Sequence, residues 1–109
     1  MFARHDEEGY LPALPGIQRK TLVHGEKTLL AEFRLAGGSL LPLHDHPYEQ
    51  TGYLVSGRMI LHFDGAAHPV APGDAWCIPA GMPHRAEILE DSLAIEVFSP
   101  PRPDYLPGS

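Results

Sequence analysis

The chain is short of cysteine, of basic residues and of long apolar runs. Cys77 is the only cysteine, so no internal disulfide can form. Its neighbours Trp76 and Ile78 give it the reading of a core thiol rather than a nucleophile. No stretch approaches the ~18 apolar residues of a membrane-crossing helix, and the start, MFARHDEEGY, carries acidic residues where a secretory signal needs an apolar run. Eight basic side chains stand against fourteen acidic ones, a formal charge of -6, and they are scattered rather than gathered into a stripe. That pattern excludes an extended nucleic-acid surface. The expectation is a cytoplasmic protein with neither nucleic acid nor membrane as partner. With 109 residues there is room for one domain.

A sustained 3.6-residue period is missing as well, and so is an internal repeat. Apolar residues come instead in runs of four to eight cut by glycine, proline or Asp-Gly, which is a strand pattern. Eleven glycines and twelve prolines supply the turns. Ile17 to Val23 and Lys27 to Leu35 read as a first hairpin around His24-Gly25-Glu26. Leu40 to His46 is a strand closed by Pro47, and Gln50 to Val55 is followed by a Ser56-Gly57 turn into Arg58 to Phe63. Asp64-Gly65 is a strong hairpin signal leading to His68 to Val70. Asp74 to Ile78, His84 to Leu89 and Leu93 to Ser99 complete about nine short strands, a spacing that suits a sandwich or small barrel. Residues 1–15 read as an N-terminal arm and 16–106 as the barrel domain. Four prolines among the last ten residues stiffen a tail expected to fold back on the barrel.

Seven histidines are the compositional anomaly. His44 and His46, two apart on a predicted strand, leave it on the same face with backbone positions roughly 6.7 Å apart. Imidazoles so placed can converge on one ion at about 2.0 to 2.1 Å each. The short Pro47-Tyr48-Glu49 connection puts Gln50 at the start of a neighbouring antiparallel strand facing the same side. His84, opening a later strand, completes the set if the sheet closes into a barrel. His5, His24, His62 and His68 fall in the tail, at turns or on strand surfaces and read as solvated. Trp76 and Met59 read as packing.

Gly38, five residues, His44-x-His46, three residues, Gln50, six residues and Gly57 resembles the first motif of the cupin superfamily. Gly73, five residues, Pro79-x-Gly81-x-x-His84 resembles the second. The resemblance implies an all-β fold, a single-domain (RmlC-like) cupin jelly-roll β-barrel, with one divalent transition metal ion held inside by His44, His46, Gln50 and His84. Nickel, zinc, iron, manganese and copper all suit such donors. The general motif has glutamate at the position of Gln50 and asparagine at that of Ile88. A donor set of three imidazoles and an amide oxygen is neutral, so the ion keeps its full charge and an anionic substrate is its natural partner.

The ending Ile95-Glu96-Val97-Phe98-Ser99-Pro100-x-Arg102-x-Asp104-Tyr105-Leu106 is similar to that of small cupins that open the ring of unsaturated uronates in pectin and alginate degradation. Glu49-Gln50-x-Gly52-Tyr53 and Gly16-Ile17-x-Arg19-Lys20 are similar too. The resemblance implies catalytic or site-lining roles for Glu96, Phe98 and Arg102. Glu96 replaces the family's usual aspartate and carries one methylene more. Strand parity adds that Ala94, Glu96 and Phe98 share one face, and a carboxyl between apolar strand faces needs a reason. The expected function is metal-dependent isomerisation or ring opening of a small carboxylate-bearing sugar acid by enolate stabilisation. Alternatives are a metal-dependent dioxygenase or lyase, and a non-catalytic module that binds a metal or small ligand. Two largely apolar strand faces in so small a chain also imply a homodimer.

Overall fold

A computed structural model describes residues 1–108. Eight strands carry the chain: β1 (Leu11–Leu14), β2 (Ile17–His24), β3 (Leu29–Leu35), β4 (Leu40–His44), β5 (Glu49–Phe63), β6 (Ala66–Val70), β7 (Ala75–Ile78) and β8 (His84–Ser99). A single 3₁₀ turn, Pro103–Tyr105, follows. All pairings are antiparallel, in the order β1-β2-β3-β8-β5-β6, with β4 also on β8 and β7 also on β5. The long strands β5 and β8 run beside one another along their length. Each has two sets of outer neighbours: β8 pairs with β4 through its first half and β3 through its second, and β5 pairs with β7 and then β6. This exchange of neighbours rolls one sheet around an interior.

Alternation decides what enters that interior. Gln50, Gly52 and Leu54 on β5 and Ala94, Glu96 and Phe98 on β8 point inward, and Leu54 and Phe98 are fully buried. One apolar cluster holds Leu54, Met59, Leu61, Val70, Ile78, Ala86, Ile88 and Ala94. A second, Leu29, Ala31 and Phe98, is completed by Phe33, Tyr48, Tyr105 and Leu106, so the tail folds back on the barrel. At ~25 cal/mol per Å² of apolar surface, burial of this kind is the main force holding the roll closed.

Four details differ from the sequence reading. Ser56-Gly57 is not a turn: β5 passes through it as a bulge, with register shifts against β8 between Leu54 and Met59. Gly57 has φ +98, and a Cβ there would lie 2.1 Å from Ser92 Oγ, so only glycine permits the close approach. Likewise β8 is continuous across Glu90-Asp91, giving eight strands among the described residues rather than nine. Residues 11–14, read as part of an arm, pair with β2 as β1. Cys77 is exposed, not a core thiol, because Trp76 and Ile78 take the inward positions of β7 and Cys77 faces out beside Thr51. Among the described residues no helix is long and apolar enough to cross a membrane.

Candidate metal centre

Three strand ends and one connection assemble the site. His44 closes β4 directly opposite His84, which opens β8. His46 lies past the end of β4, in the link to β5, rather than on a strand as its spacing had suggested. Gln50, second residue of β5, is opposite Phe98 on one side and Ile78 on the other. The ligand atoms of His44, His46 and His84 all lie within 4.8 Å of one another, close enough to hold one metal ion. The ring centroids of His44 and His84 are 4.1 Å apart, and those of His46 and His84 5.0 Å.

Hydrogen bonding fixes how the rings face. Nδ1 of His44 donates to the Pro42 carbonyl at 2.8 Å, Nδ1 of His46 to Tyr48 at 3.0 Å, and Nδ1 of His84 to Met82 at 2.9 Å. A carbonyl can only accept, so each neutral ring keeps its Nε2 lone pair for the interior. His84 Nε2 is buried and has no hydrogen-bond partner. His46 Nε2 and Gln50 Oε1 face each other at 2.9 Å, two acceptors at contact distance when the imidazole is neutral. Burial pushes both His46 and His84 below the ordinary value of 6.5, which favours that neutral form. A cluster of inward lone pairs, one of them orphaned, fits a bound cation.

Behind this cluster stands Glu96. It is 9% exposed, and its Oε1 accepts from Gln50 Nε2 at 2.5 Å and from Trp76 Nε1 at 3.0 Å. The Gln50 contact also sets the amide, turning its oxygen toward the histidines. Burial raises the Glu96 carboxyl above 4.5, opposed by the two hydrogen bonds and by the Arg102 charge. Trp76, read from sequence as packing, is thus part of the site. It reaches Glu96 by lying across Gly52, where a Cβ would meet its ring at 2.2 Å. Gly52 pairs with Trp76 on one side and Glu96 on the other. A glycine inside a strand, sharing Gln50's parity, was the signal available for this contact.

Phe98 is 1% exposed and packs edge-on against His46, with centroids 5.8 Å apart, so it backs a ligand ring. Arg102 lies in the tail over Tyr105, 4.0 Å from its ring centre, and is held by Asp104 at 3.4 and 3.2 Å. A cavity of about 500 Å³ opens beside the histidines, with Gln50, Trp76, Glu96 and Arg102 in its wall. A larger, shallower depression by Pro15 and Asp91 lies away from these groups.

A rolled antiparallel sheet enclosing three histidines able to hold a metal defines a jelly-roll barrel of the RmlC-like cupin type. The chain belongs to the cupin family, whose Cupin domain matches residues 31–99. It is homologous to KdgF. The pectin degradation protein KdgF of Dickeya dadantii (strain 3937) is 28% identical over 93 residues, 84% of either chain. The structure of KdgF from Halomonas sp. superposes with a TM-score of 0.91 at 34% identity, over 97% of this chain and 98% of that one. An RmlC-like cupin from Shewanella frigidimarina NCIMB 400 shares the fold, with a TM-score of 0.90 at 23% identity over 96% and 95% of the two chains.

Proposed function

We propose that this chain is a metal-dependent enzyme that opens the ring of an unsaturated uronate, with His44, His46, Gln50 and His84 as metal ligands and Glu96 as the proton-transfer group. The observation that carries the reading is the inward convergence of the unprotonated imidazole nitrogens beside a buried carboxyl. Homology to KdgF, a pectin degradation protein, supports the substrate class. When bound, a divalent ion supplies a Lewis acid that stabilises enolate-like charge.

The chain's own groups do the rest. Ring opening removes the proton of the anomeric hydroxyl, breaks the bond from the anomeric carbon to the ring oxygen, and leaves an enolate conjugated with the carboxylate. Return of that proton to carbon completes the isomerisation. Glu96 Oε1 is already occupied by Gln50 and Trp76, so Oε2 takes the proton and returns it. Desolvation, which favours the protonated acid, lets Glu96 hold the proton between the two steps. Phe98 keeps His46 in place from behind.

Following a 4,5-unsaturated uronate by NMR with metal-loaded protein tests the reading. Wild type should produce the open keto acid faster than buffer, and Glu96→Gln should slow it about 10²-fold or more. Equal rates for wild type, Glu96→Gln and buffer would sink the ring-opening assignment. Substrate-dependent oxygen uptake by iron-loaded protein would replace it with a dioxygenase, and tight uronate binding without turnover with a binding module.

A further inference from the structure

Arg19 is an arginine on a core-facing strand position. On β2 the inward side begins with Ile17, 2% exposed, and Arg19 shares its parity and stands opposite Phe33 of β3. Arg19 lines the same cavity as His44, His84 and Glu96. There it donates Nη2 to the Asp104 backbone carbonyl at 3.2 Å and stacks on Tyr105, with Cζ 4.2 Å from the ring centre. Among the described residues no carboxylate lies within salt-bridge distance of it. Arg102, which shares the Tyr105 ring, is placed differently. Its Nε and Nη2 both engage the Asp104 carboxylate.

The cavity wall therefore holds two guanidiniums and one carboxylate committed to a guanidinium, and that carboxylate belongs to Arg102. Glu96 does not supply the missing counter-charge, because its hydrogen bonds go to Gln50 and Trp76. Stacking on Tyr105 fixes the plane of the Arg19 guanidinium while leaving in-plane N–H donors free, the geometry that grips a planar carboxylate with two parallel bonds. The rings run in order from His46 to Phe98 at 5.8 Å and on to Tyr105 at 5.4 Å, with Arg19 against the last of them. Arg19 thus stands on the wall where the tail meets β2, in the same cavity as His44 and His84.

We infer that Arg19, rather than the Asp104-bound Arg102, is the residue that binds the substrate carboxylate and selects sugar acids over neutral sugars. The inference rests on the proposed sugar-acid substrate and assigns the recognition of its charge. Arg102 then acts as a positioning residue, its pair with Asp104 locking the tail that carries Tyr105. The sequence contains the signal in Gly16-Ile17-x-Arg19, where a basic residue shares parity with a core isoleucine.

The test uses a pair of non-reacting probes, D-galacturonate and D-galactose, which differ only in the carboxylate. Binding to zinc-loaded and to chelator-stripped protein is followed by NMR titration. Wild type should prefer galacturonate in both forms, Arg19→Gln should lose that preference by roughly tenfold with galactose binding unchanged, and Arg19→Lys should retain part of it. A tail disturbed for structural reasons would instead weaken both sugars together. With unsaturated uronate, Arg19→Gln should raise KM far more than it lowers kcat. The inference is overturned if wild type shows no preference for galacturonate, if Arg19→Gln keeps the full preference, or if Arg102→Gln alone abolishes it. These outcomes are independent of turnover, so a protein that selects galacturonate through Arg19 but leaves the unsaturated uronate intact would refute ring opening and not this assignment.

Discussion

Each imidazole of the site donates Nδ1–H to a carbonyl two residues away, and that pairing leaves Nε2 bare toward the interior. Without a cation those lone pairs face one another and the Gln50 oxygen. Because burial lowers His46 and His84, the unfolded chain binds more protons than the folded one below about pH 6.5. Their neutral, buried state is compatible with full stability above that pH, and stability falls as pH drops from 6.5 toward their lower folded-state values. Glu96 has the opposite sign, since a raised carboxyl loses stability as pH rises through its folded value. Urea unfolding of chelator-stripped Glu96→Gln protein isolates the histidines. Its free energy of unfolding, and with it the midpoint, should be lower at pH 5.0 than at pH 7.5, because the unfolded imidazoles take up protons that the buried ones resist. An unchanged midpoint would contradict the burial argument. At this scale the sequence motifs singled out residues that the structure brings together, His44, His46, Gln50 and His84. They said nothing of Trp76, whose indole reaches Glu96 only because Gly52 has no side chain.

Among the elements, β5 and β8 matter most, and both were read as two strands each. A local pattern of Gly, Ser, Glu and Asp looks like a turn whenever nothing nearby argues otherwise. Here the partner strand argues otherwise: β5 and β8 stay paired across the irregular stretch, with Arg58 N donating to Ser92 Oγ at 3.2 Å and Gly57 against Ser92. The bulge lets two long strands bend and change neighbours without breaking, and it keeps Gln50 and Glu96 on one end and the Leu61 and Ala86 core on the other. Gly57→Ala should therefore cost more than an ordinary surface change. Its Cβ would strike Ser92 while the backbone holds a positive φ, and the loss should be at least about 2 kcal/mol in chemical unfolding. Unaltered stability would mean the bulge is not needed for the bend. The edge strand β1 was missed for a related reason, since Leu11-Pro12-Ala13-Leu14 is exposed and too short to show alternation.

For the whole molecule, the outward face of β5 and β8 carries Tyr53, 48% exposed, and Val55, 40% exposed, beside Leu93, Ile95 and Val97. We expect two copies of the chain to pair through this apolar face, because contiguous exposed apolar surface marks interaction sites and a two-fold pairing of identical patches is the commonest way to cover it. Light scattering at micromolar concentration should give the mass of a dimer, and Tyr53→Arg should reduce it; a monomer in wild type would exclude the pairing. The spacing of histidines and glycines, through its resemblance to the cupin motifs, was sufficient to identify the barrel and to pick out His44, His46 and His84, which the fold brings close enough to hold a metal ion. What the tertiary structure alone decided was contact between distant segments. Trp76 meets Glu96, Tyr105 of the tail packs on Phe33 of β3, and Arg19 is left in the cavity wall without a carboxylate partner. These depend on where the sheet curls and where the tail lands, which no local spacing encodes.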